Sequence, residues 1–264
     1  MNAPVAAKSG PRTAAEPIFV FGSNMLGEHL EGHAQIAARL HRAAAGEWDG
    51  RTGNAYAIPY RDRQLKLLPL ADIARYVERF KAYANEHRAL TLQIARFACE
   101  KGAFSDVDIA GLFRDAPPNA VLPALWQRLL DPQKPVRIMV YDPAGRLLAA
   151  EWQALLGRYL NVNLPLWGAS GVELISAGAA RNVVATDAAA RHLGLKHRVI
   201  GENPAYFGAQ SPMAAEMKAV WSATHLLSIT DPDQTAQPAH VRVLSYATRG
   251  GLDCDDLYPG MYDQ

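Results

Sequence analysis

Ile18-Phe-Val-Phe-Gly-Ser-Asn-Met-Leu-Gly-Glu-His-Leu-Glu-Gly-His33 is the stretch of sequence that decides the fold of this chain. Its apolar start predicts a buried strand over residues 18–21, and a helical pattern follows a loop that holds Gly22, Gly27 and Gly32. A strand, a glycine loop and a helix in this order present free backbone N–H groups and a helix N-terminus to a phosphate. The stretch therefore predicts a phosphate-binding loop, with a purely structural turn as the alternative.

This loop differs from the best-known phosphate-binding sequences. Gly27 and Gly32 have the spacing of a Walker loop, but His33 and Ala34 stand where that loop requires Lys and Ser or Thr. An ATPase is excluded because the Lys that reaches the phosphates and the hydroxyl that holds magnesium are missing. The dinucleotide fingerprint G-x-G-x-x-G is also absent from the stretch.

Composition narrows the class of protein. The chain has 264 residues, 49% of them hydrophobic, and a formal net charge of +1. It can bury a large core, and it lacks the basic field that nucleic-acid binding requires. Cys99 and Cys254 have neither metal-ligand nor disulfide spacing, which is typical of a reducing compartment.

The first sixteen residues and the hydropathy of the chain predict its cellular location. Residues 1–16 are rich in Ala, Pro, Ser and Lys without the apolar run of a signal peptide, which predicts a disordered leader. No apolar run is long enough to cross a bilayer. We therefore expect a cytoplasmic protein with no membrane partner, no nucleic-acid partner and no cofactor, and we leave homo-oligomerisation open.

Apolar periodicity alternates between strands and helices along the chain. It predicts strands over residues 18–21, 54–59, 90–98, 136–141, 172–176, 198–200 and 226–229. It predicts helices over residues 34–44, 70–84, 106–113, 147–159, 182–193 and 213–220, the third capped by Asp106. The proline-bearing segment 131–135 interrupts the pattern. The fold class is thus predicted as α/β, with two tandem three-layer domains (17–130 and 136–264) and largely parallel sheets.

A second small-residue loop, Ser176-Ala-Gly-Ala-Ala-Arg181, follows a predicted strand of the second half. Ligands of parallel sheets bind at the carboxyl ends of strands, so Ser176, Gly178 and Arg181 are candidate binding residues. Arg181 would clamp a phosphate with its fork of donors. The alternative is that its aliphatic stem covers apolar surface.

The N-terminal half resembles a family of bacterial and phage proteins whose hallmark is a strand, G-S-N-x-x-G and a helix. The matching segments are 20–24, 53–59, 61–62, 68–70, 108–110 and 112–113. That family looks like a divergent macro domain, so the resemblance implies binding of ADP-ribose or a related nucleotide. Gly22, Ser23, Asn24, Gly27, Gly32 and His33 would form its first loop.

The second loop of that family is altered in this chain. Where the family has a G-C-G-L-A-G-Y turn, residues 98–104 keep only Cys99, Gly102 and Phe104. The resemblance implies that Gly102 and Phe104 contact the ligand. Glu100 adds a negative charge that repels a diphosphate unless a cation compensates it.

The C-terminal half resembles a SLOG-type Rossmann domain, a group that includes nucleotide sensors and nucleotide-cleaving enzymes. The matching segments are 136–141, 174–181 and 213–217 before strand 226–229. Asn182 stands in place of the last glycine of the G-A-R-G-x-D turn, and Asp187 falls too late to be its acid. The likeness in fold is therefore better than the likeness in site.

Two polar residues near the first loop have open roles. The amide of Asn24 would contact a ribose or a purine edge, or it would cap the turn. Asp62 would act as a general base or bind a ribose, or it would form a surface ion pair with Arg61 or Arg63.

The sequence contains no strong pattern of metal ligands or of a catalytic nucleophile. His29 and His33 are four residues apart without a third ligand at a telling distance, so we expect solvated loop histidines, or His33 near a bound phosphate, and no metal site. The acidic residues of segment 253–256 are expected to form a solvated turn. No Ser-His-Asp or Cys-His arrangement stands out in the sequence.

Three functions follow from these residues, in decreasing order of preference. The first is a sensor or sequestering protein for an ADP-ribose or NAD-derived nucleotide, with the diphosphate on the backbone around Gly22–Gly27 and near Gly32. The second is a hydrolase of an ADP-ribosyl or phosphoribosyl bond, with Asn24 orienting water and Asp62 as the base. The third is an interaction protein with degenerate sites.

Overall fold

The computed structural model describes residues 16–100, 103–168, 171–229, 238–259 and 261–262. The strands are β1 (Ile18–Asn24), β2 (Gly50–Thr52), β3 (Ala55–Arg61), β4 (Leu92–Ile94), β5 (Ala120–Val121), β6 (Val136–Tyr141), β7 (Val172–Ser176), β8 (Lys196–Val199), β9 (His225–Ile229) and β10 (Asp253–Leu257). The helices are α1 (Gly32–His41), α2 (Leu70–Glu86), α3 (Asp106–Gly111), α4 (Ala124–Leu130), α5 (Ala150–Trp167), α6 (Ala180–His192), α7 (Pro204–Phe207), α8 (Ser211–Trp221) and α9 (Pro238–Gly250).

The strands form two sheets of five strands each. The first has the order β2-β3-β1-β4-β5, and the second has the order β10-β9-β6-β7-β8. Every strand pair is parallel except β2 with β3. This confirms the predicted α/β fold with two largely parallel sheets. Parallel neighbours bring the carboxyl ends of β1, β3 and β4 to one edge of the first sheet.

Strand β1 is the centre of the first sheet and is buried on both faces. Ile18 and Val20 face one apolar cluster, and Phe19 and Phe21 face another. On the first of these faces, Ile73, Val77, Phe80 and Ala84 of α2 are fully buried. Their spacing of three and four residues is the helical period that predicted α2.

The two halves of the chain share an apolar cluster. It combines residues of β1 and α1 with residues of β6, β7, α8 and α9. Phe19 of the first half stacks on Trp221 of the second, with ring centroids 4.7 Å apart. His41 stacks on the same phenyl ring at 4.8 Å.

Of the leader predicted over residues 1–16, the structure describes only Glu16. Residues 1–15 of that prediction lie outside the described residues. Glu16, in contrast, pairs with Lys218 and accepts a hydrogen bond of 3.0 Å from Asn203 Nδ2, so the second half of the chain holds it. These two contacts of the Glu16 carboxylate fix the chain just before β1.

Two predicted boundaries in the first half are wrong. The strand predicted over 90–98 is the three-residue β4, because the chain leaves the ladder and Ala98 adopts a left-handed φ of +57°. Ser105, and not Asp106, caps α3: its Oγ accepts a hydrogen bond of 3.1 Å from Asp108 N. The side chain of Asp108 in turn accepts a hydrogen bond from Ser105 N, which completes a capping box.

The acidic segment near the C-terminus is a strand and not the predicted solvated turn. Asp253–Leu257 forms β10 at the edge of the second sheet, paired only with β9. Its first four side chains are exposed, so the acidic residues lie on a sheet edge where charge opposes further strand addition. Sequence periodicity also missed β2, β5, α4, α7 and α9.

No helix in the described part of the chain has the length and apolar character needed to cross a membrane.

The shared core makes stability depend on pH through His41. Its side chain is 3% exposed, and burial, with a smaller effect from Lys218, lowers its pKa to about 3. The unfolded chain takes up a proton near pH 6.5, whereas the folded chain does so only near pH 3. The free energy of unfolding should therefore fall as the pH drops below 6.5, by about 2.5 kcal/mol at pH 4.5 from this residue.

Urea denaturation at pH 7.5, 6.0 and 4.5 measures this dependence. The His41→Leu variant should show a shallower decline than the unmodified chain, and a variant of the exposed His192, His192→Gln, should keep the full decline. An equal decline in all three proteins would show that His41 does not contribute.

Candidate functional site

A cavity of about 960 Å³ opens at the carboxyl ends of β1, β3 and β4. Its wall includes the end of β1, the loop and first turn of α1, the end of β3, and segment 96–100 after β4. Thr248 and Arg249, at the end of α9, come to the same wall from the second half of the chain. We call this space the β1 cavity.

The structure brings most of the predicted first loop to this cavity. Gly22, Ser23, Asn24, Gly32 and His33 line it. The other predicted site residues are not in this wall. Gly27 and Asp62 lie outside it, Phe104 packs against the apolar cluster of the first half, and Gly102 lies outside the described residues. In the second half, Ser176 ends β7, Gly178 lies in the loop after it, and Arg181 belongs to α6.

Two of the three glycines of the loop serve close packing. A Cβ on Gly22 would lie 2.5 Å from Phe97 Cβ and 2.9 Å from Tyr60 Cδ1. Gly27 has a left-handed φ of +69°, and its Cβ would lie 2.4 Å from the carbonyl carbon of Gly46. Gly32 is different, because its φ is +56° but no atom lies within 4 Å of its Cβ position. Only Gly32 leaves open space beside the backbone in the cavity wall.

The side chains of Ser23 and Asn24 hold the loop together. Asn24 Oδ1 accepts hydrogen bonds from the N–H groups of Leu26 (3.0 Å) and Glu28 (3.2 Å), and its Nδ2 donates to Glu28 O (3.0 Å). Ser23 Oγ donates to the carbonyl oxygen of Trp48. Of the two roles predicted for Asn24, turn capping is therefore the one its contacts perform.

The N-terminus of α1 faces the cavity with unused donors. The N-cap Glu31 makes no side-chain capping bond, and the backbone N–H groups of Gly32, His33 and Ala34 find no acceptor among the residues that the structure describes. All four residues line the cavity. Three free N–H groups at the positive end of a helix dipole attract an anionic group.

His33 is neutral at pH 7. Burial lowers its pKa to about 4, against the opposing effect of its hydrogen bond to Arg96. Its Nδ1 lies 2.8 Å from the carbonyl oxygen of Arg96, so Nδ1 carries the proton and donates it. His33 therefore positions the chain after β4 and contributes no positive charge to a bound phosphate.

The guanidinium of Arg96 is held by hydrogen bonds to other residues of the protein. Its Nε and Nη2 donate to the two carboxylate oxygens of Asp106, both at 2.7 Å, and Nη2 also donates to Cys99 O at 2.9 Å. Trp126 Nε1 donates to the same carboxylate at 2.7 Å. Burial alone raises the pKa of Asp106, but the bonds from Arg96 and Trp126 outweigh it and lower that pKa below its usual value.

Glu100 is also paired. It accepts a hydrogen bond of 2.8 Å from the hydroxyl of Tyr60. Burial, with a smaller effect from Glu100, raises the pKa of Tyr60 to about 12, so the phenol keeps its proton. The Arg61 guanidinium lies 5.2 Å from the centre of the Tyr60 ring, and its Nη1 donates to Leu65 O at 2.8 Å.

Backbone strain is concentrated beside this cavity. Leu65, which lines it, has a φ of +60°, and Ala98 with φ +57° lies between two lining residues. Asp62 supports the strained turn, since its Oδ1 accepts from Gln64 N (2.8 Å) and Lys66 N (2.9 Å). Left-handed non-glycine residues cost free energy and cluster at functional sites. Through its two hydrogen bonds Asp62 supports the turn that carries Leu65, and its own side chain is not part of the cavity wall.

The expectation of solvated loop histidines is wrong for His29. Its side chain is buried, with its ring edge-on to Phe21 at 5.1 Å. No group of three or more His, Cys, Asp or Glu in the described ranges is placed to hold a metal ion.

The second half of the chain contains a Ser-His-Asp arrangement, formed by two strands and α6, that sequence spacing did not reveal. Ser176 Oγ lies 2.8 Å from His197 Nε2, and His197 Nδ1 lies 3.3 Å from Asp187 Oδ1. Ser176 has no exposed surface, and Asp187 also pairs with Arg191. A nucleophile must reach its substrate, so this arrangement joins β7, β8 and α6 and does not act as a catalytic triad.

The rest of the Ser176–Arg181 loop also serves internal packing. Gly178 has a φ of +78°, and its Cβ would lie 3.2 Å from Glu216 Oε1. Arg181 lies against Gly145, whose Cβ would be 2.6 Å from Arg181 Nε. Asn182 accepts a hydrogen bond from Asp142 N and donates one to Ala177 O, both at 2.8 Å, so its amide is used in two buried internal bonds.

Comparison with known proteins adds no assignment: no family model, no curated protein and no solved structure matches the chain. The resemblances to a macro domain and to a SLOG domain therefore remain predictions from sequence. The proposed function therefore rests on the geometry of the β1 cavity.

The packing at Gly22 predicts a large effect of one methyl group. Gly22→Ala forces a Cβ into Phe97 and Tyr60 and should lower the free energy of unfolding by about 1–3 kcal/mol. Gly111→Ala is the control, because α3 leaves its Cβ position empty and alanine favours a helix; it should stabilise by about 0.5–1 kcal/mol. Chemical denaturation measures both. Equal stability of the two variants would contradict the packing role of Gly22.

Proposed function

We propose that this chain binds a nucleotide of the ADP-ribose or NAD-derived class in the β1 cavity and acts as a sensor or sequestering protein. The observation that carries the proposal is the set of three unpaired N–H groups at the start of α1, turned toward a cavity of about 960 Å³. A volume of this size suits a dinucleotide-sized ligand, since small-molecule pockets span roughly 300–1,000 Å³.

The phosphate end of the ligand would lie at the start of α1. The N–H groups of Gly32, His33 and Ala34 would donate to phosphate oxygens, and the open space beside Gly32 lets those oxygens approach the backbone. The carboxylates of Glu28 and Glu31 also line the cavity and oppose an anion. The ligand must therefore gain from directed hydrogen bonds more than from the overall charge of the wall.

The base or sugar end would lie against apolar side chains. Leu30 is 72% exposed and Leu65 is 45% exposed, and both line the cavity together with the ring of Tyr60. Exposed leucines beside a polar cavity are covered when a flat, partly apolar ligand binds. The strained backbone of Leu65 supports the same interpretation, because a strained conformation is retained where it positions a functional side chain.

Binding is favoured over hydrolysis by the same contacts. The amide of Asn24 and one carboxylate oxygen of Asp62 are already engaged in holding their own loops. Glu100 is bonded to Tyr60. The two groups predicted to serve a hydrolase, Asn24 and Asp62, are thus used within their loops, and Asp62 lies outside the cavity wall.

Calorimetric titration with ADP-ribose, NAD, AMP and cyclic ADP-ribose tests the proposal, with product analysis of each mixture. Saturable binding of one of them without a new product is the expected result. A new product would replace binding by hydrolysis as the function. No heat from any of the four would overturn the nucleotide proposal.

Adding a negative charge to the wall of the β1 cavity tests whether the ligand binds there. Leu30→Glu adds a carboxylate to the wall and removes apolar surface, so it should weaken binding of ADP-ribose by at least about tenfold. Leu166→Glu is the matched control, because Leu166 is 77% exposed and lies at the end of α5, outside the cavity wall. Equal affinity of the two variants would place the binding site elsewhere.

A further inference from the structure

We propose that Arg249, from the second half of the chain, binds the phosphate groups of the ligand in the β1 cavity, so that a bound ligand joins the two halves. This inference rests on the proposed function and adds the residue that selects phosphate. Arg249 belongs to the last turn of α9 and lines the cavity together with Thr248.

The three arginines of the wall differ in what they bind. Arg96 is held by Asp106 in a two-point ion pair, and Arg61 donates to Leu65 O and lies over Tyr60. The Arg249 guanidinium makes no hydrogen bond, ion pair or ring contact with any residue in the described ranges. It is therefore the guanidinium of the wall that is available to an incoming anion.

The backbone of Arg249 is fixed although its side chain is free. Arg96 Nη1 donates to Arg249 O at 3.2 Å. Gly251 turns the chain with a φ of +72°, and its Cβ position lies 2.7 Å from Arg96 Nε, so the turn after α9 packs directly on that guanidinium. A side chain on a fixed backbone loses less entropy on binding than one on a mobile loop.

The charge of Arg249 reaches the start of α1. It contributes to the lowered pKa of His33, together with the larger effect of burial. Arg249 and the three free N–H groups that begin at Gly32 also line the same cavity. Backbone donors on one side and a forked guanidinium on the other form a site for a group with several anionic oxygens, such as a diphosphate.

This arrangement also answers the problem of acidic residues in the wall. Glu28, Glu31 and Glu100 line the cavity, and Arg96 is already neutralised by Asp106. Without Arg249, the carboxylates that face a diphosphate would outnumber the positive side chains that are free to bind it. The second half thus adds a positive charge to that of Arg61 in a wall with three carboxylates.

Titration of Arg249→Met with ADP-ribose and with adenosine tests the inference. Loss of charge-assisted bonds should weaken ADP-ribose binding by about 10- to 100-fold and leave adenosine binding unchanged. Arg249→Lys keeps the charge without the fork and should lie between the two. Arg75→Met is the control, because Arg75 is an exposed residue of α2 outside the cavity wall.

The outcomes separate the two proposals. If the unmodified chain binds ADP-ribose and Arg249→Met binds it equally well, the role of Arg249 is overturned and the nucleotide function stands. If Arg249→Met weakens ADP-ribose and adenosine equally, phosphate recognition by Arg249 is also overturned. If the unmodified chain binds neither compound, both proposals fail.

Hydrogen exchange provides a measurement on the unmodified chain. The amides of Gly251 and Leu252 close the turn after α9 through bonds of 3.1 and 3.0 Å. Saturation with ADP-ribose should slow exchange in peptides covering residues 246–252, because the ligand ties this turn to α1. Slower exchange at α1 with no change at residues 246–252 would overturn the joining of the two halves.

Discussion

The ion pair between Arg96 and Asp106 is the interaction on which the candidate site depends. It takes two parallel hydrogen bonds, and Trp126 adds a third to the same carboxylate. Because the guanidinium is planar and held at both ends, its remaining N–H groups point in fixed directions. One of them meets Cys99 O within the same loop, and another meets Arg249 O from the second half. A single half-buried pair thus sets the shape of the wall and the position of α9.

Periodicity predicted the elements that are buried on a regular face and failed where another force determines the backbone. Strand β6 and helix α2 were found because their apolar spacing reports one continuous contact with a core. The apolar run after β4 is buried for a different reason: Phe97 packs on Trp126 behind the sheet, with ring centroids 5.9 Å apart, and not within the ladder. Strand β10 was missed because backbone pairing at an edge requires no apolar side chains.

The candidate site was predicted where its residues are neighbours in sequence. Gly22, Ser23 and Asn24 end β1, and Gly32 and His33 begin α1, so strand–loop–helix order alone placed them at one edge. Arg249 lies 153 residues from Arg96, and no local pattern connects them. A shorter separation, 21 residues, likewise hid the contact between Ser176 and His197. The role of Asn24 was undecidable from sequence, because capping and ligand contact use the same amide.

The stacking of Phe19 on Trp221 has a consequence for biosynthesis. The two residues are separated by about 200 positions, so the first sheet emerges from the ribosome long before α8 exists. At about 5–20 residues per second, the aromatic face of β1 waits some 10–40 s for its cover. During that interval Phe19 and Phe21 present an apolar surface to the cell. The second half thus covers, late in synthesis, an apolar face that the first half exposes until then.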